Sequence, residues 1–121
     1  MKVLLDTNGL MVPGQCGIDV FDELRALGYD EFVVPSAVAD EIEQLKRKVK
    51  GSDRAALAVA AGLLGRCEIV QAPGEADEVL LRLAKDLRAP VFTNDAALRK
   101  RLKQEQVRTI YVRSLQKLAI E

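Results

Sequence analysis

Histidine is absent from the 121 residues of this chain, and with it goes most familiar acid–base chemistry. There can be no Ser-His-Asp triad, no Cys-His pair and no His-ligated zinc. Any catalysis must be run by carboxylates, lysine, hydroxyls, thiol or a metal held by oxygen. Cysteine is scarce: Cys16 and Cys67 stand alone without C-x-x-C spacing, too few for a disulfide scaffold, and both are expected to be reduced and buried. Net charge is also missing, because 18 Lys and Arg balance 18 Asp and Glu. No global field holds nucleic acid to this surface, so any such contact must be local. Apolar runs such as Ala55 to Leu64 fall short of the roughly 18 residues of a membrane span. The opening Met1-Lys2-Val3-Leu4-Leu5-Asp6 ends its apolar run in an acid, unlike a secretory signal. The expectation is a soluble, cytoplasmic protein with no membrane partner.

What remains is a chain with 49% hydrophobic residues, enough for the core of one domain over 1–121. Short apolar runs alternate with longer amphipathic segments. Strands are expected at Lys2 to Leu5, Glu31 to Pro35, Glu68 to Val70, Pro90 to Thr93 and Thr109 to Val112. Helices are expected at Asp19 to Leu27 with Gly28 closing it, from a Ser36 cap to Val49, from a Ser52 or Asp53 cap to Leu64, at Glu75 to Leu87 and at Asp95 to Lys103. Met11-Val12-Pro13-Gly14 reads as a loop. Such alternation predicts an α/β three-layer sandwich around a mainly parallel sheet of about five strands, since parallel strands need helical crossovers. In these sheets ligands bind off the carboxyl ends of the strands.

Asp6 and Asp95 each follow a strand there, within Asp6-Thr7-Asn8 and Thr93-Asn94-Asp95. Helix capping accounts for Asp95 equally well, but less well for Asp6, which no strong helical pattern follows. On the helix after Ser36, Val38, Ile42, Leu45 and Val49 form an apolar stripe with Glu41 about 60° from its centre. That position suits a snorkelling border residue or an acid aimed into a cleft. Glu75-Ala76-Asp77-Glu78 opens the next helix, where acids complement the helix dipole and Glu75 and Asp77 flank the apolar face about equally. Converging at one sheet end, Asp6, Glu41, Asp77 and Asp95 would repel one another without a cation. Their all-oxygen chemistry favours Mg²⁺ or Mn²⁺ over zinc.

These residues resemble the PIN-domain ribonucleases. The resemblance runs from the first strand into Asp6-Thr7-Asn8, through Val38-x-x-Glu41-Ile42 and Ala76-Asp77-Glu78-x-Leu80-Leu81, to Val91-x-Thr93-Asn94-Asp95 with Leu98. It implies a PIN-like fold in which Asp6, Asp77 and Asp95 hold Mg²⁺ or Mn²⁺ and Glu41 completes the catalytic pocket. The implied reaction is endonucleolytic hydrolysis of single-stranded RNA to a 5′-phosphate and a 3′-hydroxyl. Thr7, Asn8, Thr93 and Asn94 would support the acids or touch the scissile phosphate. Arg99 and Arg101, on the basic helix behind Asp95, would follow the RNA backbone; a second basic run, Lys46-Arg47-Lys48-x-Lys50, lies further away. Aromatics are 4% of the chain, so base stacking adds little.

The stretch from Asp6 to Pro13, with Ile18-Asp19-Val20-Phe21, is similar to stand-alone archaeal nucleases that process small-subunit ribosomal RNA precursors. Toxin ribonucleases share the four-acid pattern. The resemblance therefore implies a homodimer and, as partners, ribosome-assembly factors or an antitoxin protein. There are two departures: Gly9 stands where a bulky apolar residue is expected, which suggests a looser loop, and Glu78 replaces the second Asp of an Ala-Asp-Asp run, leaving open whether Glu75 or Glu78 assists. A phosphoacceptor receiver needs a second acid where Thr7 stands, and a dehalogenase-type phosphatase needs Asp in place of Asn8. A non-catalytic PIN scaffold that binds RNA or protein is the competing class.

Overall fold

The computed structural model describes residues 1–114 and 117–121. In chain order the elements are β1 (Lys2–Leu5), α1 (Thr7–Cys16), α2 (Val20–Ala26), β2 (Glu31–Pro35), α3 (Ser36–Lys48), α4 (Ser52–Leu63), β3 (Glu68–Val70), α5 (Ala76–Leu87), β4 (Val91–Phe92), α6 (Ala96–Gln104), β5 (Thr109–Ser114) and β6 (Lys117–Ile120). A short 3₁₀ turn, Leu64–Arg66, leads into β3. The strands form one sheet in the order β3-β2-β1-β4-β5-β6, in which β6 alone runs antiparallel. The architecture is the expected α/β sandwich with a mainly parallel sheet, but with six strands rather than about five. Lys117–Ile120 was too short and mixed in pattern to read as a strand; it gains its pairing by folding back on β5.

β1 lies in the middle, and its Val3, Leu4 and Leu5 are wholly buried, as a parallel strand covered on both faces requires. On one side the chain winds outward through β2 and β3; on the other it resumes at β4. Strand order therefore reverses between β1 and β4, and the crevice at their carboxyl ends is where such sheets take ligands.

The larger surprise is α1. The stretch after Asp6 is a helix rather than a loop, and Pro13 and two glycines lie inside it. Local propensity opposes this, so tertiary packing must hold it. Leu10 and Val12 are buried, and the glycines sit at close approaches. A Cβ on Gly9 would lie 2.5 Å from the Phe92 carbonyl oxygen, and one on Gly14 would lie 2.6 Å from Ala56 Cα. Gly9 thus lets α1 press onto β4, and the loosening expected from it does not occur.

Smaller expectations also change. Ser36 does not cap α3; its hydroxyl accepts from the Ala72 N–H at 3.2 Å and ties the helix to the segment before α5. Gly51 holds the cap position of α4 without a side-chain bond, in place of Ser52 or Asp53. Cys16 is exposed and Cys67 half-buried, both free. Among the described residues no helix is long and apolar enough to cross a membrane.

Candidate active site

Asp6 leaves β1 at the crevice and caps α1, its Oδ1 accepting from the Gly9 N–H at 2.7 Å. Its second oxygen accepts from the Thr93 hydroxyl at 2.7 Å. Only 6% of Asp6 is exposed, and its carboxyl is pushed up to about 7. Burial is the main cause, the charges of Asp77 and Asp95 add to it, and the bonds from Thr93 and Gly9 oppose it. Asp95 caps α6 by accepting from the Leu98 N–H at 2.9 Å. Capping and placement at the strand end thus coincide at both acids, and the sequence argument that no helix follows Asp6 fails.

Asp77, in the first turn of α5, is half-buried and also shifted upward, first by burial and then by the charges of Glu75, Asp95 and Glu41, against the lowering effect of Arg101. Asp6, Glu41, Asp77 and Asp95 line one pocket of about 390 Å³, together with Thr7, Asn8 and Glu75. Met11, Val38 and Leu80 form its apolar floor. Of the two acids left open, Glu75 lines the pocket, whereas Glu78 pairs with Arg101.

The neighbouring polar residues divide by use. Asn8 Oδ1 accepts from the Asn94 N–H at 2.8 Å, and Asn94 Oδ1 accepts from the Val112 N–H at 2.8 Å. Thr93 is fully buried between the acids. Thr93 and Asn94 make these bonds behind the site and are not among the residues that line the pocket. Thr7 does line it, and its buried hydroxyl lacks a hydrogen-bond partner.

Arg101 sits near enough to Asp77 and Glu75 to feel both charges. Arg99 is turned elsewhere, stacked 3.7 Å from the Tyr111 ring centroid and paired with Glu121 at 2.8 Å. Arg99 is not among the residues that line the acid pocket.

The donor set fits a hydrated divalent ion. Every polar group facing the pocket is oxygen or amide, the buried acids are destabilised in their charged form, and the Thr7 hydroxyl is unmatched. Among the described residues no three acids stand close enough to ligate one ion together. A hydrated divalent cation that binds through one or two carboxylates and keeps several of its waters does not need such a closed group.

The site is a crevice at the switch point of a mainly parallel sheet, walled by acids from four elements. A family model described as a PIN-like domain matches residues 3–115, and the chain belongs to that family. It is 29% identical over 118 residues to Ribonuclease VapC9 of Archaeoglobus fulgidus, covering 98% of this chain and 87% of that protein. Its fold is similar to that of the PIN domain endonuclease Utp24, with a TM-score of 0.77 and 24% identity over 99% of this chain and 90% of the other. It is also similar to a domain of a functionally unknown protein from Methanocaldococcus jannaschii, with a TM-score of 0.66 and 14% identity over 96% of this chain and 94% of the other.

Proposed function

We propose that this protein is a Mg²⁺- or Mn²⁺-dependent endoribonuclease that hydrolyses phosphodiester bonds in single-stranded RNA. The observation that carries this reading is the buried Asp6, held at the switch point by Thr93 and Gly9 and facing Asp77, Asp95 and Glu41 across one pocket. The name of the archaeal relative, a ribonuclease, supports it.

In this reading Asp6, Asp77 and Asp95 hold the cation, directly or through water. The bound ion supplies Lewis acidity and a more acidic water for in-line attack on phosphorus. Glu41, across the pocket, would orient the attacking water. Thr7 and Asn8 border the phosphate, and Arg101 offsets charge at the rim. Asp6 must be ionised to serve, so the Thr93 hydroxyl acts by favouring its carboxylate form.

The finer role we put first is processing of ribosomal RNA precursors, which the Asp6 to Pro13 stretch supports. A toxin ribonuclease held by an antitoxin protein uses the same acids and is the second reading. The decisive assay is a labelled unpaired RNA incubated with Mn²⁺, with Asp95→Asn and a chelator as controls. Cleavage that needs the metal and Asp95 supports the nuclease. Cleavage that survives both, or tight RNA binding with no cleavage of diverse RNAs, counts against it. Induced expression separates the roles: growth arrest by the wild type but not by Asp95→Asn marks the toxin.

A further inference from the structure

At the opposite edge of the sheet a cleft of about 880 Å³ opens, where the parallel strands begin and α5 and α6 end; the cations Lys2, Lys85, Arg88 and Arg108, with Gln106 and the acid Glu31, are among its walls. Both helices close there on one motif. The Ala89 N–H bonds to the Ala84 carbonyl at 3.0 Å and the Val107 N–H to that of Leu102 at 2.9 Å, which puts Arg88 and Gln106 in left-handed conformations with φ of 51° and 61°. Glycine is the ordinary occupant of that position, because a side chain there is strained. α2 ends in the same way and does use glycine, Gly28 at φ 100°. Two neighbouring helices thus keep polar residues in strained backbone beside a single cleft; such strain persists only where the surrounding structure enforces it, and it clusters at functional sites.

Charge indicates the ligand. Lys85 is paired with Glu105, and Lys2 lies 3.9 Å from Glu68, but Arg88 and Arg108 form no ion pair among the described residues. The negative end of α5 accounts for a cation at Arg88; it does not account for Arg108 or for the strain at Gln106. α5 and α6 lie side by side, joined by the Glu78–Arg101 and Lys85–Glu105 pairs. They run from the acid pocket at their N-terminal ends to this cleft at their C-terminal ends, and the 12 residues of α5 span about 18 Å.

We propose that the cleft is a second RNA-backbone site, in which Arg88 and Arg108 hold phosphates and Gln106 a ribose hydroxyl of the strand whose scissile bond lies in the acid pocket. The proposal rests on the ribonuclease reading. The RNA lies along the α5–α6 surface, passing Arg101 and then Lys85. A guanidinium contacts phosphate without reading sequence, so the site selects for length of unpaired strand rather than for bases.

Its test is steady-state cleavage with Mn²⁺ of two labelled unpaired RNAs, about 4 and about 14 nucleotides long, by wild type, Arg88→Gly, Gln106→Gly and Arg108→Gln. Arg88→Gly relieves the strained backbone, so its Tm is expected to rise by about 2–5 °C. Its KM for the long RNA is nonetheless expected to rise about 3- to 10-fold, with a salt slope smaller by about 1, while kcat and the KM for the short RNA stay unchanged. Arg108→Gln repeats the kinetic effect without the gain in Tm. Long-RNA KM values equal to wild type in Arg88→Gly and Arg108→Gln overturn the proposal, as does an equal rise for both RNAs. A wild type that cleaves neither RNA overturns the ribonuclease reading itself, whereas cleavage with unaffected variants overturns the second site alone.

Discussion

The Thr93 hydroxyl donates to Asp6 Oδ2 at 2.7 Å across 87 positions of sequence, and the Thr93 Oγ1 in turn accepts from the Asp95 N–H at 3.1 Å. One buried hydroxyl therefore braces two acids from different strand ends. Thr93→Val keeps the shape and deletes both bonds, leaving a buried carboxylate oxygen and an N–H unmatched. The expected loss is about 1–3 kcal/mol of stability. Asp6 also loses the bond that favours its ionised form, so the acidic limb of the pH–rate profile moves to higher pH. Thr93→Ser is expected to restore the limb; an unmoved limb in Thr93→Val would contradict the brace.

Asp6 gives a pH-dependent stability whose sign can be worked out. Its folded value of about 7 exceeds the unfolded 3.8, so the metal-free native state binds the proton more tightly. The stability contributed by that proton is complete below the unfolded value and is lost as pH rises to the folded one. Asn carries no charge, so metal-free Asp6→Asn should be more stable than wild type near pH 8, by at most about 4 kcal/mol. The advantage fades towards pH 4. Urea melts with chelator at about pH 5 and pH 8 read this directly; equal differences at the two values would refute the buried-acid account.

Gly9 is required by space. Gly9→Ala places a methyl against the Phe92 carbonyl and ring, at 2.5 and 2.7 Å, and α1 must retreat. Overpacking of this kind costs about 1–3 kcal/mol. Because the displaced Gly9 N–H also holds Asp6, cleavage should fall further than the loss of folded protein explains. Gly14→Ala, equally crowded but against Ala56 on α4, should lower Tm while sparing kcat.

Arg99 and Arg101 are expected to separate completely. Arg101→Ala removes the cation beside Asp77 and should raise the KM for RNA with little change in Tm. Arg99→Ala loses its stacking on Tyr111 and its pair with Glu121, destabilises the domain by about 1 kcal/mol, and leaves KM unchanged. Melting curves and kinetics of the two single variants decide this; a raised KM in Arg99→Ala would reverse the assignment.

Much of the fold was legible because buried parallel strands announce themselves as short unbroken apolar runs, as Val3-Leu4-Leu5 does. α1 was illegible because Gly9, Pro13 and Gly14 oppose a helix locally, and the partners that enforce it, Phe92 and Ala56, lie far along the chain. Asp6 and Asp95 could be placed from the strand-end rule alone. Glu75 and Glu78 could not be ranked until α6 was seen to supply Arg101 to Glu78. The separation of Arg99 from Arg101 was within reach of the sequence, because residues two apart on a helix point about 200° apart and cannot both face one cleft.

The β1–β4 pairing, Leu4 with Val91 and Leu5 with Phe92, has a temporal consequence. A ribosome delivers Asp6 well before Asp95, and β4 can dock on β1 only after the intervening helices have emerged and a long loop has closed. Until then Asp6 has no Thr93, and the crevice lacks Asp95. In the ribonuclease reading, the nascent polypeptide stays harmless to the RNA that surrounds it, and cutting begins only when the last acid arrives.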